Sequence, residues 1–234
     1  MIGEMIFTSI KIINKQMIFF EDHFERLNKG TKYLFSNSLD FDTLKHEIEA
    51  AILLQEANYC RISVVREGYF ICLKNEPVNS LPISLGTAFE RKTEGLKPSY
   101  LKMAQYALQF KERRESEFDD LLSLSVSNEI LEVTTSNIFI LDHENILRTP
   151  ELSSNVLDGI LRKNILNFCV DNQIKYNIGP ISVDELVKAK EVFVTNSIRG
   201  IRNVKNYEKH SFGSTEFADK LIERIGHFGE KYYE

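Results

Sequence analysis

The chain has 234 residues, 43% of them hydrophobic and 27% charged, and a net charge of −5 at pH 7. That length suits one large domain or two small ones, and Lys and Arg are spread along it with no basic stripe of the kind nucleic acid needs. No apolar run approaches the roughly 20 residues of a membrane helix, and the opening MIGEMIFTSIKII has no cationic lead and is broken by Glu4, so a cytoplasmic protein without signal or transit peptide is expected.

In chain order, residues 5–13 and 16–20 are apolar runs parted by the turn-like Asn14-Lys15, which predicts an antiparallel hairpin. Residues 21–35 switch to helical spacing, with Phe24, Leu27, Thr31 and Leu34 on one stripe. Residues 40–54 repeat it with Leu44, Ile48 and Ile52, and either Asp40 or Asp42 can cap that helix. Residues 59–73 and 81–89 are β-rich, parted by Asn75-Glu76-Pro77. The first half is therefore an α+β unit, β-β-α-α-β-β, ending near residue 90. The polar RKTEGLKPS, with Gly95 and Pro98, reads as the connection that follows. Domains are expected at 1–92 and 100–234, with a linker at about 93–99. Beyond it come a helix at 103–116, strands at 121–125 and 131–141, a helix at 162–172, a short helix at 183–189 and a strand at 191–195. Cys60, Cys72 and Cys169 form no CxxC pair and no cluster with His. They are expected to be reduced thiols without metal, with Cys60 and Cys72 as small core residues.

The most informative stretch is residues 132–162, EVTTSNIFILDHENILRTPELSSNVLDGILR. An acid, Glu132, leads into small hydroxyl residues, then Asn137-Ile138-Phe139 and an apolar strand. Thr149-Pro150 follows, and a second turn delivers Leu157-Asp158-Gly159-Ile160 onto a helix start. This order of parts resembles the fold-type IV pyridoxal-phosphate enzymes, which include branched-chain and D-amino-acid aminotransferases and 4-amino-4-deoxychorismate lyase. The resemblance implies an α+β fold with a small N-terminal α+β domain and a C-terminal pseudo-barrel domain, a homodimer, and pyridoxal 5′-phosphate as cofactor. The upstream strand that normally precedes Gly3 is missing, so the first domain is expected to be a shortened version.

Such an enzyme needs a lysine to bond the cofactor, an anion at its pyridine nitrogen, a phosphate cradle and a group that moves protons at the substrate carbon. By resemblance Glu132 is the anion. Arg26 in HFERL matches the family's His-x-x-Arg-Leu helix, whose arginine reaches the phosphate. The backbone N–H groups of Ile160 and Leu161 would bind the dianion at a helix start. Leu161 stands where the family has Thr, so only the backbone contact carries over. Asn196 and Ser197 in FVTNSIRGI match the turn that closes on the phosphate. Two lysines compete for the covalent bond. Lys102 in YLKMAQY is followed four residues later by Tyr106 and is placed first; Lys97 in GLKPSY is second. They precede Glu132 by 30 (132 − 102) and 35 (132 − 97) residues, and the family's spacing falls between.

Phe7-Thr8-Ser9 is the discriminating segment. Aminotransferases of the family generally carry Phe-Glu-Thr or Phe-Glu-Gly here, and some aminodeoxychorismate lyases carry Phe-Thr-Thr. The resemblance therefore implies a lyase that eliminates pyruvate to give 4-aminobenzoate for folate synthesis, with Ser9 assisting the leaving oxygen and Thr8 positioning substrate. Arg66 in RISVVREGY would touch a substrate carboxylate, although a surface ion pair is an equal reading. An aminotransferase of the same fold, or a non-catalytic relative, are the alternatives.

Overall fold

The computed structural model describes residues 4–77, 79, 81–95, 97–103, 107–153 and 155–225. They fall into two compact units, one holding 4–77 and 100–103, the other the remainder.

In the first unit β1 (Ile6–Ile13) buries every second side chain and pairs with β2 (Gln16–Met17). Asn14 and Lys15 both sit at positive φ, 49° and 65°. A two-residue loop with both residues left-handed matches the twist of the strands it joins. The expected hairpin is therefore present. Helix α1 (Phe20–Phe35) follows, with Glu21 and Asp22 in its first turn, where the helix dipole favours acids. Its buried stripe runs through Phe20, His23, Arg26, Leu27, Gly30, Thr31 and Phe35, rotated from the expected one. Phe24 and Leu34 are only partly buried. Helix α2 (Phe41–Leu54) is capped by Asp40, whose Oδ1 accepts the Thr43 N–H at 2.8 Å, deciding between the two candidate caps. Strands β3 (Tyr59–Val65) and β4 (Gly68–Lys74) complete an antiparallel sheet in the order β2-β1-β3-β4. Ile6, Ile10, Ile12, Ile62 and Val64 pack with Leu27, Leu44 and Ile48 into one core. Tyr69, Ile71 and Leu73 of β4 lean on that core, so strand alternation turns Cys72 outward. Cys72 is exposed, contrary to expectation, while Cys60 is buried and its thiol is pushed up to about 12 by burial.

The second unit is built on a nine-stranded sheet. Its strands are β5 (Ile83–Thr87), β6 (Asp120–Leu124), β7 (Ile130–Val133), β8 (Asn137–Leu141), β9 (Leu147–Thr149), β10 (Tyr176–Ile178), β11 (Glu191–Asn196), β12 (Gly200–Tyr207) and β13 (His210–Ser211). They lie in the order β10-β9-β8-β11-β12-β5-β6-β7, with β13 on β12. Five strand spacings separate β8 from β7, about 24 Å if the sheet were flat. Only Thr134, Thr135 and Ser136 join them, a reach of about 14 Å. The sheet must therefore curl, and a Val133–Ser136 bridge closes the turn between its two remote strands. This tight turn also divides the single strand expected at 131–141. Helices α3 (Ala107–Glu115), α4 (Ile160–Asp171), α5 (Val183–Val187) and α6 (Glu216–Ile225) complete the unit.

The expected boundary at 92 and linker at 93–99 differ from what is observed. Strand β5 pairs in parallel with β6 and β12, so it belongs to the second unit. The polar stretch is bound into that unit too: Lys92 N–H donates to Leu124 O, Thr93 O accepts from Asn155 Nδ2, and Ser99 O accepts the Asp158 N–H. Polar composition marked a segment whose backbone groups bond to Leu124, Asn155 and Asp158. Residues 100–103 then return to the first unit, where Leu101 is buried in the core and Lys102 O accepts the Phe7 N–H.

Strand β11, which ends at the Asn196-Ser197 turn, is anchored at its start by Glu191. This buried carboxylate accepts the Phe217 and Ala218 N–H groups at the start of α6 and the Ser214 hydroxyl. Hydrogen bonds to a charged partner contribute about 1.5–3 kcal/mol each. Glu191→Ala is expected to destabilise the fold by about 2 kcal/mol or more, read as a lowered denaturant midpoint; an unchanged midpoint would show that Glu191 is not an anchor.

Candidate active site

In the second unit one loop, 155–159, connects Glu132, the Lys97 segment and the start of α4. Glu132, on β7, accepts the Leu157 N–H on Oε2 at 2.8 Å. Asn137, the first residue of β8, donates Nδ2 to Leu157 O at 2.9 Å. The same loop holds the Lys97 segment from both sides, through Asn155 Nδ2 to Thr93 O at 2.7 Å and Asp158 N–H to Ser99 O at 2.9 Å. Strand β7 ends in the Thr134–Ser136 turn, where Thr135 Oγ1 donates to Asp120 Oδ2 at 3.4 Å. Asp120 is buried, and burial pushes its carboxyl up against the opposing pull of Arg113. Sequence reading missed Asp120; its place next to an apolar strand start was the available signal.

Lys97 is half-buried, and burial holds its amine below the ordinary lysine value; the Glu132 charge acts in the other direction. An uncharged amine is what nucleophilic attack on a carbonyl requires. Lys102 lies in the other unit, with Nζ 5.2 Å from the Phe7 ring centroid and its charge bearing on His23. Tyr106, on which the preference for Lys102 leaned, lies outside the described residues, as does Gly3.

Helix α4 begins at Ile160, two residues earlier than expected, and Gly159 gives it no side-chain cap. The first bonded amide is that of Lys163, to Gly159 O at 2.9 Å, so the N–H groups of Ile160 and Leu161 point out of the helix end. With the helix dipole they form a donor set suited to a dianion. The Ile160 and Leu161 side chains are buried and hold that end in place. Asn196 shapes the neighbouring turn: Oδ1 accepts the Ile198 and Arg199 N–H groups, and Nδ2 donates to Ser136 Oγ at 3.0 Å. Its amide is thereby engaged in ordering the chain, and half-buried Ser197 follows it.

In the first unit Thr8 and Ser9 fall on opposite faces of β1. Thr8 is fully buried, with Oγ1 2.6 Å from His23 Nδ1 and 3.1 Å from Arg26 Nη2. A guanidinium can only donate, so Arg26 donates to the Thr8 hydroxyl, which also bonds His23 Nδ1. His23 Nε2 has no partner among the described residues. Thr8 is an internal bracket between His23 and Arg26, rather than the substrate-facing residue expected. Arg26, expected at the phosphate, is buried at the same bracket and donates to Thr8.

Phe7, Ser9 and Lys11 occupy the other face of β1. Arg61 lies over the Phe7 ring at 3.9 Å, and Ser9 Oγ is 3.0 Å from Tyr59 Oη. Ser9 and Arg61 are register partners, so this half-buried face joins a hydroxyl to a cation-rich setting. Arg66 is elsewhere, in the β3–β4 turn, half-exposed and paired with Glu4 at 3.3 Å. The surface ion pair of the two readings of Arg66 is the one observed. Arg61 was overlooked although its period-2 spacing from Ser63 placed it on a strand face.

With this geometry in place, the family can be stated. The class IV aminotransferase model matches residues 5–207, and the chain belongs to that family of pyridoxal-phosphate enzymes. The chain is 32% identical over 127 residues to branched-chain-amino-acid aminotransferase 5 of Arabidopsis thaliana, covering 52% of this chain and 30% of the relative. It is 28% identical over 89 residues to aminodeoxychorismate lyase of Vibrio harveyi, covering 38% and 32%. The matched part thus spans about a third of these curated relatives. Among solved structures, 4-amino-4-deoxychorismate lyase of Pseudomonas aeruginosa superposes with a TM-score of 0.82 at 23% identity, covering 95% of this chain and 90% of that one. An aminotransferase from Brucella abortus bound to pyridoxal phosphate gives 0.83 at 17%, covering 96% and 90%. These structural likenesses establish the shared α+β fold. Among the described residues, no helix is long and apolar enough to cross a membrane, and no group of three or more His, Cys, Asp or Glu is placed to hold a metal ion.

His23 supplies a stability test for the first unit. Burial, then the charges of Arg26 and Lys102, hold its imidazole well below the ordinary value of about 6.5. The folded pKa is lower than the unfolded one, so the contribution is present above about pH 6.5 and is lost as pH falls toward the folded value. Unfolding free energy should decline there with an extra slope of up to about 1.4 kcal/mol per pH unit, and His23→Asn should remove that component. The same slope in wild type and variant would contradict a buried neutral His23.

Proposed function

We propose that this chain is a pyridoxal-phosphate lyase that eliminates pyruvate from 4-amino-4-deoxychorismate to give 4-aminobenzoate for folate synthesis. The observation that carries the cofactor assignment is a half-buried lysine with a depressed pKa, Lys97, under the charge of Glu132 on the same loop system. The proposal takes Lys97 as the covalent attachment point and keeps Lys102, also half-buried, as the alternative. The donor set fits the cofactor's two ends: an acid for a ring nitrogen at Glu132, and backbone N–H groups for a phosphate at Ile160 and Leu161, with Ser197 on the neighbouring turn.

When bound, pyridoxal phosphate supplies a ring that accepts electrons released at the substrate carbon. Glu132 would stand at the ring nitrogen, where a carboxylate favours the protonated ring. The Lys97 amine, whose pKa burial lowers, would take the proton from the substrate carbon. The start of α4 and its dipole would hold the phosphate. In the elimination the C–O bond to the enolpyruvyl group breaks, the leaving oxygen takes a proton, and the six-membered ring becomes aromatic, so no oxidant is needed.

The lyase reading rests on Phe7-Thr8-Ser9. A serine hydroxyl beside Arg61 suits a substrate carrying carboxylates and a leaving oxygen, and Thr8 stands where the family's aminotransferases carry Glu. A branched-chain or D-amino-acid aminotransferase is the second reading, supported by the Arabidopsis relative. A two-fold dimer belongs to the proposal: Leu53, Leu54 and Phe70 stand exposed on the first unit, apolar surface that a second copy would cover.

Borohydride reduction of the purified protein followed by peptide mapping should place a pyridoxyl group on Lys97, and Lys97→Ala should abolish turnover. Supplied with 4-amino-4-deoxychorismate the protein should release pyruvate. Given leucine or D-alanine with 2-oxoglutarate it should transfer little amine. Mapping to Lys102 would reverse the lysine assignment; amine transfer without pyruvate release would move the protein to the aminotransferases.

A further inference from the structure

We propose that Asn137 is a positioning residue that fixes the spacing between the acid at one end of this site and the anion-binding helix start at the other. The inference rests on the reading of the second unit as a pyridoxal-phosphate site. Its basis is the Leu157 peptide, which is held on both sides: Glu132 Oε2 takes the N–H and Asn137 Nδ2 the C=O. Two residues later, Gly159 is the N-cap of α4. A Cβ on Gly159 would overlap the Asn137 Oδ1. The amide therefore lies flat against the glycine, in the volume a side chain would fill. The φ of Gly159 is −73°, which any residue adopts, so the glycine is required for this close approach and not for its backbone angle.

The clamp is stiff because Asn137 is itself fixed. It is buried at the head of β8, and its register partner on β11 is Thr195. The next two turns of chain are pinned in the same way: Thr149 Oγ1 donates to Ile138 O at 2.9 Å, and the buried Arg162 of α4 donates Nη2 to Pro150 O at 2.9 Å. Asn137 touches the helix through Leu157 and Gly159, with no role at the reacting atoms. Loss of its donor would let the Ile160 and Leu161 N–H groups drift relative to Glu132. The phosphate contact would weaken, while the covalent and ring contacts would remain.

The test compares pyridoxal phosphate with pyridoxal, which lacks the phosphate, titrated back into enzyme depleted of cofactor. Asn137→Ala and the isosteric Asn137→Asp, which has no donor for Leu157 O, should raise the dissociation constant of pyridoxal phosphate about tenfold or more. The constant for pyridoxal should change less than about threefold. Gly159→Ala alone should do the same damage, since its methyl must displace the amide. In an Asn137→Ala background Gly159→Ala should cost little more, because the conflict is gone. Melting temperatures of all four variants report on folding, and the aspartate variant serves if the alanine variant does not fold. Equal weakening of both ligands, or full additivity of the two substitutions, would overturn the clamp. A wild-type protein that binds neither ligand would instead overturn the cofactor reading itself, while non-additivity of the melting temperatures would still report the Asn137–Gly159 contact.

Discussion

The second unit depends on one peptide group. Leu157 has no remarkable side chain, yet its N–H ends on a carboxylate and its C=O on a buried amide, and the loop around it also fastens the Lys97 segment and launches α4. Each of these bonds contributes about 1 kcal/mol in isolation and more to the charged partner. Their joint effect is geometric. A strand-borne acid, a lysine on an irregular segment and the open end of a helix are brought to fixed positions without any of them lying next to another in sequence. The curled sheet makes this possible, because the Thr134–Ser136 turn brings β7 round to β8 and so sets Glu132 and Asn137 on adjoining strands.

Burial then decides the chemistry available. Desolvation lowers the Lys97 amine and the His23 imidazole, and raises the Asp120 carboxyl. In each case the uncharged form is favoured. The consequence differs with the partner. At Lys97 the nearby Glu132 opposes the shift. At His23 two positive charges deepen it, and the imidazole shares the Thr8 hydroxyl with Arg26.

Much of this was legible in the sequence, for physical reasons that differ by element. The hairpin at Asn14-Lys15, the Asp40 cap and the order of parts from Glu132 to Ile160 are local signals and could be read directly. The family of the chain followed from that order. The unit boundary could not, since whether β5 pairs with β4 or with β6 and β12 is a long-range matter that no window of sequence contains. The choice between Lys97 and Lys102 turned on spacing, and what the fold adds is that the chain on either side of Lys97 is bonded to Asn155 and Asp158, while Lys102 belongs to the other unit. Arg66 drew attention by its motif; Arg61, fixed over Phe7 by strand register, required the pairing of β1 with β3. Thr8 and Ser9 were both expected at the substrate, and strand alternation puts Thr8 in the core and Ser9 on the half-buried face.

The central claim is that Glu132 is both a structural bond to Leu157 and the charge that tunes the cofactor. Glu132→Gln separates the two, since an amide oxygen can still accept the Leu157 N–H while the charge is lost. The account predicts that this variant binds pyridoxal phosphate with an affinity within about threefold of wild type, while turnover falls by two orders of magnitude or more, about 2.7 kcal/mol of barrier. Turnover close to wild type in a fully loaded variant would contradict it.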